Sequence, residues 1–585
     1  MSAPCDPTMP SVPISYPITD LETLLSRSYF DSFHYPFNIS SVPLPAASVK
    51  MPHRQRMLVC HDFKGGYTDD DKWIQGGANA GAYAIWHWHL IDIFVYFSHN
   101  LVTLPPPGWI NAAHTHGVKV LGTFITEWEK GREICNTLLS TVESARTYAE
   151  RLAELANKLG FDGWLINMEV KLDPQQTINL KEFVSHLTQS IHNVVPGSLV
   201  IWYDSVTIDG DLKYQNQLNE KNKPFFDVSD GIFCNYCWKE NFPEDSSTVA
   251  GDRRFDVYMG IDVWGRGTYG GGQWTTNVAL DVLKKDDVSA AVFAPGWVYE
   301  TGQGPDFQTA QNRWWRLVEQ SWGVVQKYPK ALPFYSDFNQ VKSDGKSLMG
   351  LKLTLSSTKE GTKEALLLPD VALHPAQLIN KFDSIILAQR ASNQDSSLCS
   401  NWCQYESTIV LNDSTLTEVG LLCYLNNSDV VKNSTSHEAT IDESTYKASL
   451  GRVHIRVAGV CTEFPPADKW FIDGKNISWI WKDEGTRTVS LTIRWGLDAG
   501  LASSSFVLYN IYVQKISGGE DNLGCNTSTT PEFVGTARTA IYYISALEVP
   551  IGVSCLKFII QVCAIDGTFM DLDKSPSYHL FVEGL

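Results

Sequence analysis

Residues 160–170, GFDGWLINMEV, form an apolar run that closes with an amide and a carboxylic acid two positions apart. A run of this length bounded by glycine is typical of a buried β-strand. Successive side chains of a strand point to opposite faces, so Asn167 and Glu169 share one face. The other face carries apolar residues: Trp164, Ile166 and Met168. The strand therefore presents one acid and one amide together at its C-terminal end.

Seven further runs of the same kind place this strand in a repeating series. The full series is RMLVCHDF (56–63), IDIFVYFS (91–98), VKVLGTFITE (118–127), GWLINMEV (163–170), SLVIWYDSV (198–206), GIFCNYCW (231–238), DVYMGIDVW (256–264) and AAVFAPGW (290–297). Longer polar or amphipathic stretches separate the runs, as in βα units. Eight such units over about 250 residues predict a (β/α)₈ TIM barrel, which we assign to residues 51–340. A doubly wound open sheet is the alternative, although it usually has fewer strands.

Beyond about residue 340 the pattern changes from helical periodicity to strand-like alternation. TVSLTIRW (488–495) places four apolar residues on one face: Val489, Leu491, Ile493 and Trp495. Alternation of this kind predicts antiparallel β-sandwiches, one at 341–485 and a fibronectin III-like one at 486–585. Residues 1–50, rich in Pro and Ser, are expected to form a lead-in segment. The fold class is thus multidomain, α/β followed by all-β.

The composition excludes several classes of partner. The 585-residue chain carries a net charge of −18, which disfavours nucleic acids and anionic membrane surfaces. Its start lacks the features of a signal peptide, and no window approaches the ~18 apolar residues of a membrane helix. The twelve Cys lack the dense spacing of a disulfide scaffold. We therefore expect a cytosolic protein with reduced thiols, no metal and no cofactor.

Asn167 and Glu169 fall where a barrel carries its catalytic groups, at the C-terminal end of a strand. Most glycosidases place two carboxylates beside the scissile bond, whereas this strand offers one. One acid is sufficient if the sugar carries a 2-acetamido group whose carbonyl oxygen attacks the anomeric carbon. Asn167 would accept the acetamido N–H. Glu169 would protonate the leaving oxygen, with a pKa raised by poor solvation.

Five stretches of the barrel region resemble the cytosolic endo-β-N-acetylglucosaminidases of glycoside hydrolase family 85: VLGTFITEW, GFDGWLINMEV, IWYDSV, MGIDVWGRG and FAPGW. The resemblance covers roughly residues 40–335. It implies cleavage of the β-1,4 bond in the N,N′-diacetylchitobiose core of N-glycans by a retaining, substrate-assisted mechanism, with transfer to other acceptors as a further reaction. It implies as partners N-glycans of the high-mannose type, on glycoproteins or glycopeptides or free, and we expect a monomer.

The resemblance also implies roles for individual residues. Glu169 matches the general acid/base of the family and Asn167 the residue that orients the acetamido group. Tyr203, in IWYDSV, matches a tyrosine that contacts the same centre, and Trp264, in DVWGRG, matches a tryptophan of the glycan cleft.

Further polar and aromatic residues at strand ends are candidates for substrate binding. They are Asn235, Asp262, Trp297 and Trp238, with Asp204 as another polar contact. Two other functions stay open. A two-carboxylate retaining glycosidase would use Glu169 as acid/base and Asp262 or Glu127 as nucleophile. A lectin-like barrel would bind carbohydrate without cleaving it.

Overall fold

Eight parallel strands form a barrel in the N-terminal half of the chain, as a computed structural model shows. The structure describes residues 14–31, 37–75, 79, 81–326, 334–336, 348–357, 361–369, 384–390, 405–411, 414–424, 453–455, 463–482, 486–497, 506–517, 527–565 and 567–582. The barrel strands, first to eighth along the chain, are Met57–Asp62, Ile93–Phe97, Lys119–Glu127, Gly163–Glu169, Leu199–Tyr203, Gly231–Cys234, Val257–Asp262 and Ser289–Phe293. Each coincides with one of the eight apolar runs, and the predicted barrel is confirmed.

The strand pairing closes the barrel. The order around the wall is second, first, eighth, seventh, sixth, fifth, fourth, third, and the third strand pairs again with the second. All eight pairings are parallel. A two-residue strand, Val102–Thr103, adds an antiparallel pairing to the third strand. Parallel closure brings all eight C-terminal strand ends to one end of the barrel, which we call the mouth together with the loops that follow.

The two faces of the barrel wall pack against different partners. Alternate residues of the strands fill the interior, among them Leu58, Val95 and Leu165. The intervening residues pack outward against the helices, as Ile166 and Met168 do in the fourth strand. The alternation that the sequence indicated thus directs Asn167 and Glu169, which follow Leu165 at steps of two, into the interior at the mouth.

Helices surround the barrel and follow most strands. The described α-helices are Leu21–Ser26, Pro107–Thr115, Trp128–Leu138, Val142–Leu159, Pro174–Val194, Lys223–Phe226, Phe242–Ala250, Thr276–Lys285, Trp297–Glu300 and Phe307–Trp322. Asp173 begins the longest of them with a reciprocal capping box to Gln176. Gly160 ends Val142–Leu159 with φ 80°, a left-handed conformation that glycine adopts readily. Within the described residues, no helix has the length and apolar character required to cross a bilayer.

The predicted lead-in segment packs against the barrel. Leu24 is 3% exposed and belongs to the core shared by the wall and the helices. The backbone of Ile18 pairs with that of Val102, and the amide of Ser40 donates to the carbonyl of Leu159 at 2.9 Å. These contacts join the segment to the outer layer of the barrel.

The middle of the chain, residues 331–462 with 565–567, forms a compact unit separate from the rest. Its five-stranded sheet has the order Tyr405–Glu406, Ser384–Arg390, Gly361–Pro369, Leu348–Ser357, Ser414–Tyr424. One pairing is parallel, between Gly361–Pro369 and Ser384–Arg390, where we expected antiparallel strands throughout. The strand Phe334–Ser336 pairs with Val453–Ile455, so the middle unit begins before the predicted barrel limit at 340.

The C-terminal domain consists of two antiparallel sheets. One contains Trp470–Lys482, Thr486–Leu497 and Ile541–Pro550. The other contains Thr527–Ser528, Phe506–Ser517, Val553–Ala564, Ser577–Phe581 and Glu532–Ala537. The four apolar residues singled out in TVSLTIRW are at most 2% exposed and form part of the core of this domain. The division predicted between 485 and 486 falls inside a hairpin, because Trp470–Lys482 pairs with Thr486–Leu497.

The barrel and the C-terminal domain belong to one compact unit. The side chain of Gln75, in the loop before the second barrel strand, bonds to both backbone groups of Tyr543. Its amide nitrogen donates to the Tyr543 carbonyl at 3.0 Å, and its amide oxygen accepts from the Tyr543 N–H at 2.7 Å. The strand that contains Tyr543 is an edge strand of its sheet.

Candidate active site

Polar side chains from several strands gather at the mouth of the barrel. The interior positions at or just beyond the strand ends are held by Asp62, Glu127, Glu169, Tyr203, Asn235 and Asp262. Below them the interior is apolar. The parallel register places Glu127 beside Glu169 and Ile125 beside Asn167. Four carboxyl groups, those of Asp62, Glu127, Glu169 and Asp262, therefore lie at the mouth above the apolar interior of the barrel.

Glu169 has the environment of a proton donor. Burial raises the pKa of Glu169 above its ordinary value, and the neighbouring Glu127 carboxylate raises it further. Two hydrogen bonds oppose this rise, one from the hydroxyl of Tyr214 to Oε2 at 2.9 Å and one from the side chain of Asn167. The net effect on the pKa is upward, which is the direction that a general acid requires.

Asn167 is buried beside Glu169, with 3% of its surface exposed. Its side chain bonds to the Glu169 carboxylate, which leaves the amide oxygen for another donor. Among the described residues, Oδ1 of Asn167 has no hydrogen-bond partner. A buried carbonyl oxygen normally has a donor. The site therefore has an acceptor ready for an N–H group of a ligand next to the acid.

Tyr203 and Asn235 form a hydrogen-bonded wall beside the acid. The Tyr203 hydroxyl donates to Oδ1 of Asn235 at 2.9 Å, and Nδ2 of Asn235 donates to Oδ1 of Asn216 at 2.7 Å. The ring of Tyr203 lies edge-on to Phe233 and Tyr214. Burial raises the pKa of Tyr203, so its hydroxyl stays protonated and acts as a hydrogen-bond donor.

Asp204 holds the loop that completes this wall. Its carboxylate accepts from the backbone N–H groups of Gln215 and Asn216 and from the side-chain amide of Asn222, at 2.6–3.1 Å. Burial raises the pKa of Asp204 to about 6, although these bonds favour the ionised form. The loop so ordered carries Tyr214 and Asn216 to the acid and the wall. Asp204 positions two residues of the site without occupying it.

Asp262 is engaged in the turn that follows its own strand. Its side chain is fully buried and accepts from Nε of Arg266 at 2.9 Å and Nη2 at 3.2 Å. It also accepts from the backbone N–H groups of Trp264 and Arg266. These four donors account for its lone pairs, an arrangement suited to closing a loop. The other proposed nucleophile, Glu127, accepts a hydrogen bond from His99 at 2.9 Å. Both carboxylates thus have hydrogen-bond partners at the mouth, four donors on Asp262 and His99 on Glu127.

The predicted tryptophans differ in how they are packed. Trp238 is 3% exposed, stacks on Tyr269 at 4.7 Å and donates to the carbonyl of Gly260. Trp297 is 4% exposed and lies edge-on to Trp274. Both indoles therefore present little surface to a sugar and act as packing residues beneath the loops. Trp264 is half-buried and keeps part of its ring at the mouth.

Sequence reasoning missed Tyr214 and Asn216, which bond to Glu169 and Asn235. They lie in DLKYQNQ (211–217), a polar loop without periodicity. The only local feature that could have indicated their role is a tyrosine, Tyr214, in a polar loop. That loop follows the strand run that closes with Tyr203 and Asp204. Their role depends on the bonds to Asp204, which are formed only in the folded chain.

Comparison with known proteins finds relatives along the whole chain. The model "Glycosyl hydrolase family 85" matches residues 67–346, and "ENGASE1-like, C-terminal immunoglobulin-like domain" matches residues 462–583. The chain is 45% identical to Cytosolic endo-beta-N-acetylglucosaminidase 1 of Arabidopsis thaliana, over 99% of this chain and 97% of that protein. It is 45% identical to Cytosolic endo-beta-N-acetylglucosaminidase of Homo sapiens, over 52% of this chain and 41% of that protein.

A solved structure shares the fold. The glycoside hydrolase domain of Endo-D from Streptococcus pneumoniae R6 superposes with a TM-score of 0.64, over 98% of this chain and 99% of that chain, at 14% identity. The similarity extends beyond the barrel into the β-rich part of the chain. The match of the C-terminal domain model begins before Trp470–Lys482, in agreement with the sheet that contains that strand.

Proposed function

Because the chain belongs to glycosyl hydrolase family 85, we infer that it cleaves the β-1,4 bond between the two GlcNAc residues in the chitobiose core of N-glycans. The protein is a glycoside hydrolase. Two relatives from Arabidopsis thaliana, 45% and 41% identical over 99% of this chain, are named cytosolic endo-beta-N-acetylglucosaminidases. By the same relationship this protein is a cytosolic enzyme.

The observation that carries the mechanism is the pairing of an unpartnered amide oxygen on Asn167 with the carboxyl group of Glu169, whose pKa is raised by burial. The acetamido N–H of the sugar donates to Oδ1 of Asn167, which turns the acetamido carbonyl oxygen toward the anomeric carbon. That oxygen bonds to the carbon while the bond to the leaving oxygen breaks, and Glu169 gives its proton to the leaving oxygen. An oxazolinium ion and the truncated acceptor result.

The second half of the reaction uses the same two side chains. Glu169, now a carboxylate, takes a proton from water, and the water oxygen bonds to the anomeric carbon as the oxazolinium ring opens. Two displacements at one carbon retain its configuration. A sugar hydroxyl in place of water would give glycan transfer. Tyr203 and Asn235 support the reaction as the wall beside the reacting centre.

The substrate that we propose is a high-mannose N-glycan on a glycoprotein or glycopeptide, or released from one, bound by a single copy of the chain. A glycan enters from solvent, and the mouth offers a half-buried indole at Trp264 together with polar groups. Such a mixture suits the apolar faces and hydroxyl edges of sugars.

A defined high-mannose glycopeptide tests this function. We expect the enzyme to leave one GlcNAc on the peptide, with the corresponding loss of mass, and Glu169→Gln to leave the glycopeptide intact. Cleavage at the asparagine, or no cleavage at all, would refute the assignment. A thiazoline that mimics the oxazolinium ion separates the mechanisms, because a two-carboxylate glycosidase would be barely inhibited by it.

A further inference from the structure

Trp128 is the most exposed tryptophan of the described residues in the barrel, with 73% of its surface in contact with solvent. It follows Glu127 directly, at the end of the third barrel strand, and begins the helix Trp128–Leu138. Its position is therefore at the mouth, one residue beyond the carboxylate that lies beside Glu169. Burial does not account for an indole at this place, since most of its surface is left in water.

The backbone of Trp128 adopts a left-handed conformation with φ 55°. A bulky side chain is disfavoured there, whereas glycine is tolerated. The sharp turn itself is explained by the direct passage from strand to helix. A Cβ on Gly131 in the next turn would lie 2.7 Å from the backbone of Thr126, so the chain is packed tightly. The turn requires a positive φ but not an indole, and strained residues of this kind cluster at functional sites.

The indole lies beside the imidazole of His99. The rings of Trp128 and His99 lie 6.1 Å apart and within 24° of parallel. Nδ1 of His99 bonds to Oε2 of Glu127 at 2.9 Å. The hydrogen bond to Glu127 raises the pKa of His99. The exposed ring thus lies beside an imidazole that is hydrogen-bonded to an acidic group of the mouth.

Aromatic rings continue from this point across the barrel. His99 lies edge-on to Phe97, Phe97 lies edge-on to Phe293, and Phe293 contacts Tyr236 at 6.3 Å. The row runs from the exposed indole over the ends of the second and eighth strands to the loop after the sixth. Its members flank the carboxyl groups that surround Glu169. The row thus connects the exposed indole of Trp128, by contacts between rings, with the mouth of the barrel.

We propose that Trp128 is a stacking platform for a pyranose ring of the glycan, beside His99 and continuous with the site of cleavage. The inference rests on the proposed function and specifies one of its subsites. A pyranose has an apolar face of C–H groups and an edge of hydroxyls. A flat, electron-rich indole complements that face, while the neighbouring carboxylates accept hydrogen bonds from the edge. A tryptophan side chain has two rotatable bonds, so it loses little conformational freedom when a sugar binds.

Binding measured in an inactive background tests the platform. Glu169→Gln protein is titrated calorimetrically with a high-mannose glycopeptide, alone and combined with Trp128→Ala, Trp128→Phe or Trp481→Ala. Trp481, in the C-terminal domain, is 70% exposed and serves as a matched control. We expect Trp128→Ala to weaken binding about tenfold, Trp128→Phe to weaken it less than Trp128→Ala, and Trp481→Ala to leave it unchanged. Unchanged affinity in Trp128→Ala would overturn the platform.

A fold control and an activity control separate the remaining explanations. Trp128→Gly also removes the ring but relieves the left-handed strain, so it should melt above Trp128→Ala and bind equally weakly. Normal binding by Trp128→Gly would assign the defect to strain and refute the platform. If the wild-type enzyme cleaves the chitobiose core while Trp128→Ala binds normally, only the platform fails. If the wild type does not cleave the glycopeptide, the proposed function fails and the platform with it.

Discussion

The hydrogen bond from Tyr214 to Glu169 makes a quantitative prediction about the pH dependence of the enzyme. The hydroxyl donates to Oε2 at 2.9 Å and lowers the pKa of Glu169, against the larger effect of burial, which raises it. Tyr214→Phe removes that donor and keeps the ring. The carboxylate form loses a stabilising partner, so the pKa of Glu169 should rise. The acid then keeps its proton to higher pH, and the alkaline limb of the activity profile should move upward.

The size of the shift follows from the strength and exposure of the bond. A hydrogen bond to a charged group contributes about 1.5–3 kcal/mol when both partners are shielded from water. Tyr214 is 39% exposed, so water replaces part of the lost interaction. We therefore halve the range, which gives a loss of about 0.7–1.5 kcal/mol. This loss corresponds to a rise of about 0.5–1 unit in the pKa of Glu169.

The assay is the pH profile of kcat/KM on a high-mannose glycopeptide, because its alkaline midpoint reports the free enzyme. The midpoint is independent of any loss in absolute rate that Tyr214→Phe also causes. Tyr148→Phe is the matched control. Tyr148 is 5% exposed in the outer helix Val142–Leu159, and its midpoint should equal that of the wild type. An unchanged or lower midpoint in Tyr214→Phe would refute the assignment of Glu169 as the titrating acid.

Three further substitutions test the remaining parts of the site. Glu169→Gln should lower kcat by about 10³-fold or more while calorimetry still detects glycan binding; normal turnover would remove Glu169 from the mechanism. Asn167→Ala should stop hydrolysis of the glycopeptide but still use a preformed sugar oxazoline as donor, since that donor bypasses the assisted step; equal loss on both would contradict this role. Asp204→Ala removes the acceptor of four donors, the backbone N–H groups of Gln215, Asn216 and Asn235 and the amide of Asn222, and should lower the free energy of unfolding by about 3 kcal/mol in denaturant titrations. Asp204→Ala should also shift the alkaline midpoint in the same direction as Tyr214→Phe. An unchanged free energy of unfolding would contradict the role of Asp204 in holding the loop.

The sequence was sufficient to predict the barrel and its acid–amide pair because both depend on local periodicity. A period of two along GWLINMEV determines which side chains point inward, and a closed parallel sheet determines that its end is the mouth. The roles of Asn167, Glu169 and Tyr203 stay predictions that the variants above test. The role of Tyr214 could not be predicted from the sequence, for a physical reason. Its position depends on Asp204, ten residues earlier, and on backbone bonds that no local pattern encodes.

Two other differences have equally simple causes. Aromatic residues that pack and aromatic residues that bind sugar have the same composition, and burial alone distinguishes Trp238 and Trp297 from the exposed Trp128. We predicted a domain boundary between residues 485 and 486. The strands on either side, Trp470–Lys482 and Thr486–Leu497, pair with each other, and polar residue types are common both at domain boundaries and between paired strands.

The contact of Gln75 with Tyr543 has a consequence for the isolated modules. An edge strand offers free N–H and C=O groups to which another chain can add. The side-chain amide of Gln75 hydrogen-bonds to one such pair, the N–H and C=O of Tyr543, as the backbone of a neighbouring strand would. A fragment beginning near residue 463 would lose these two hydrogen bonds and expose the edge strand of its sheet. Such a fragment is prone to self-association, and proteins prepared for crystallisation or display should keep the two parts together.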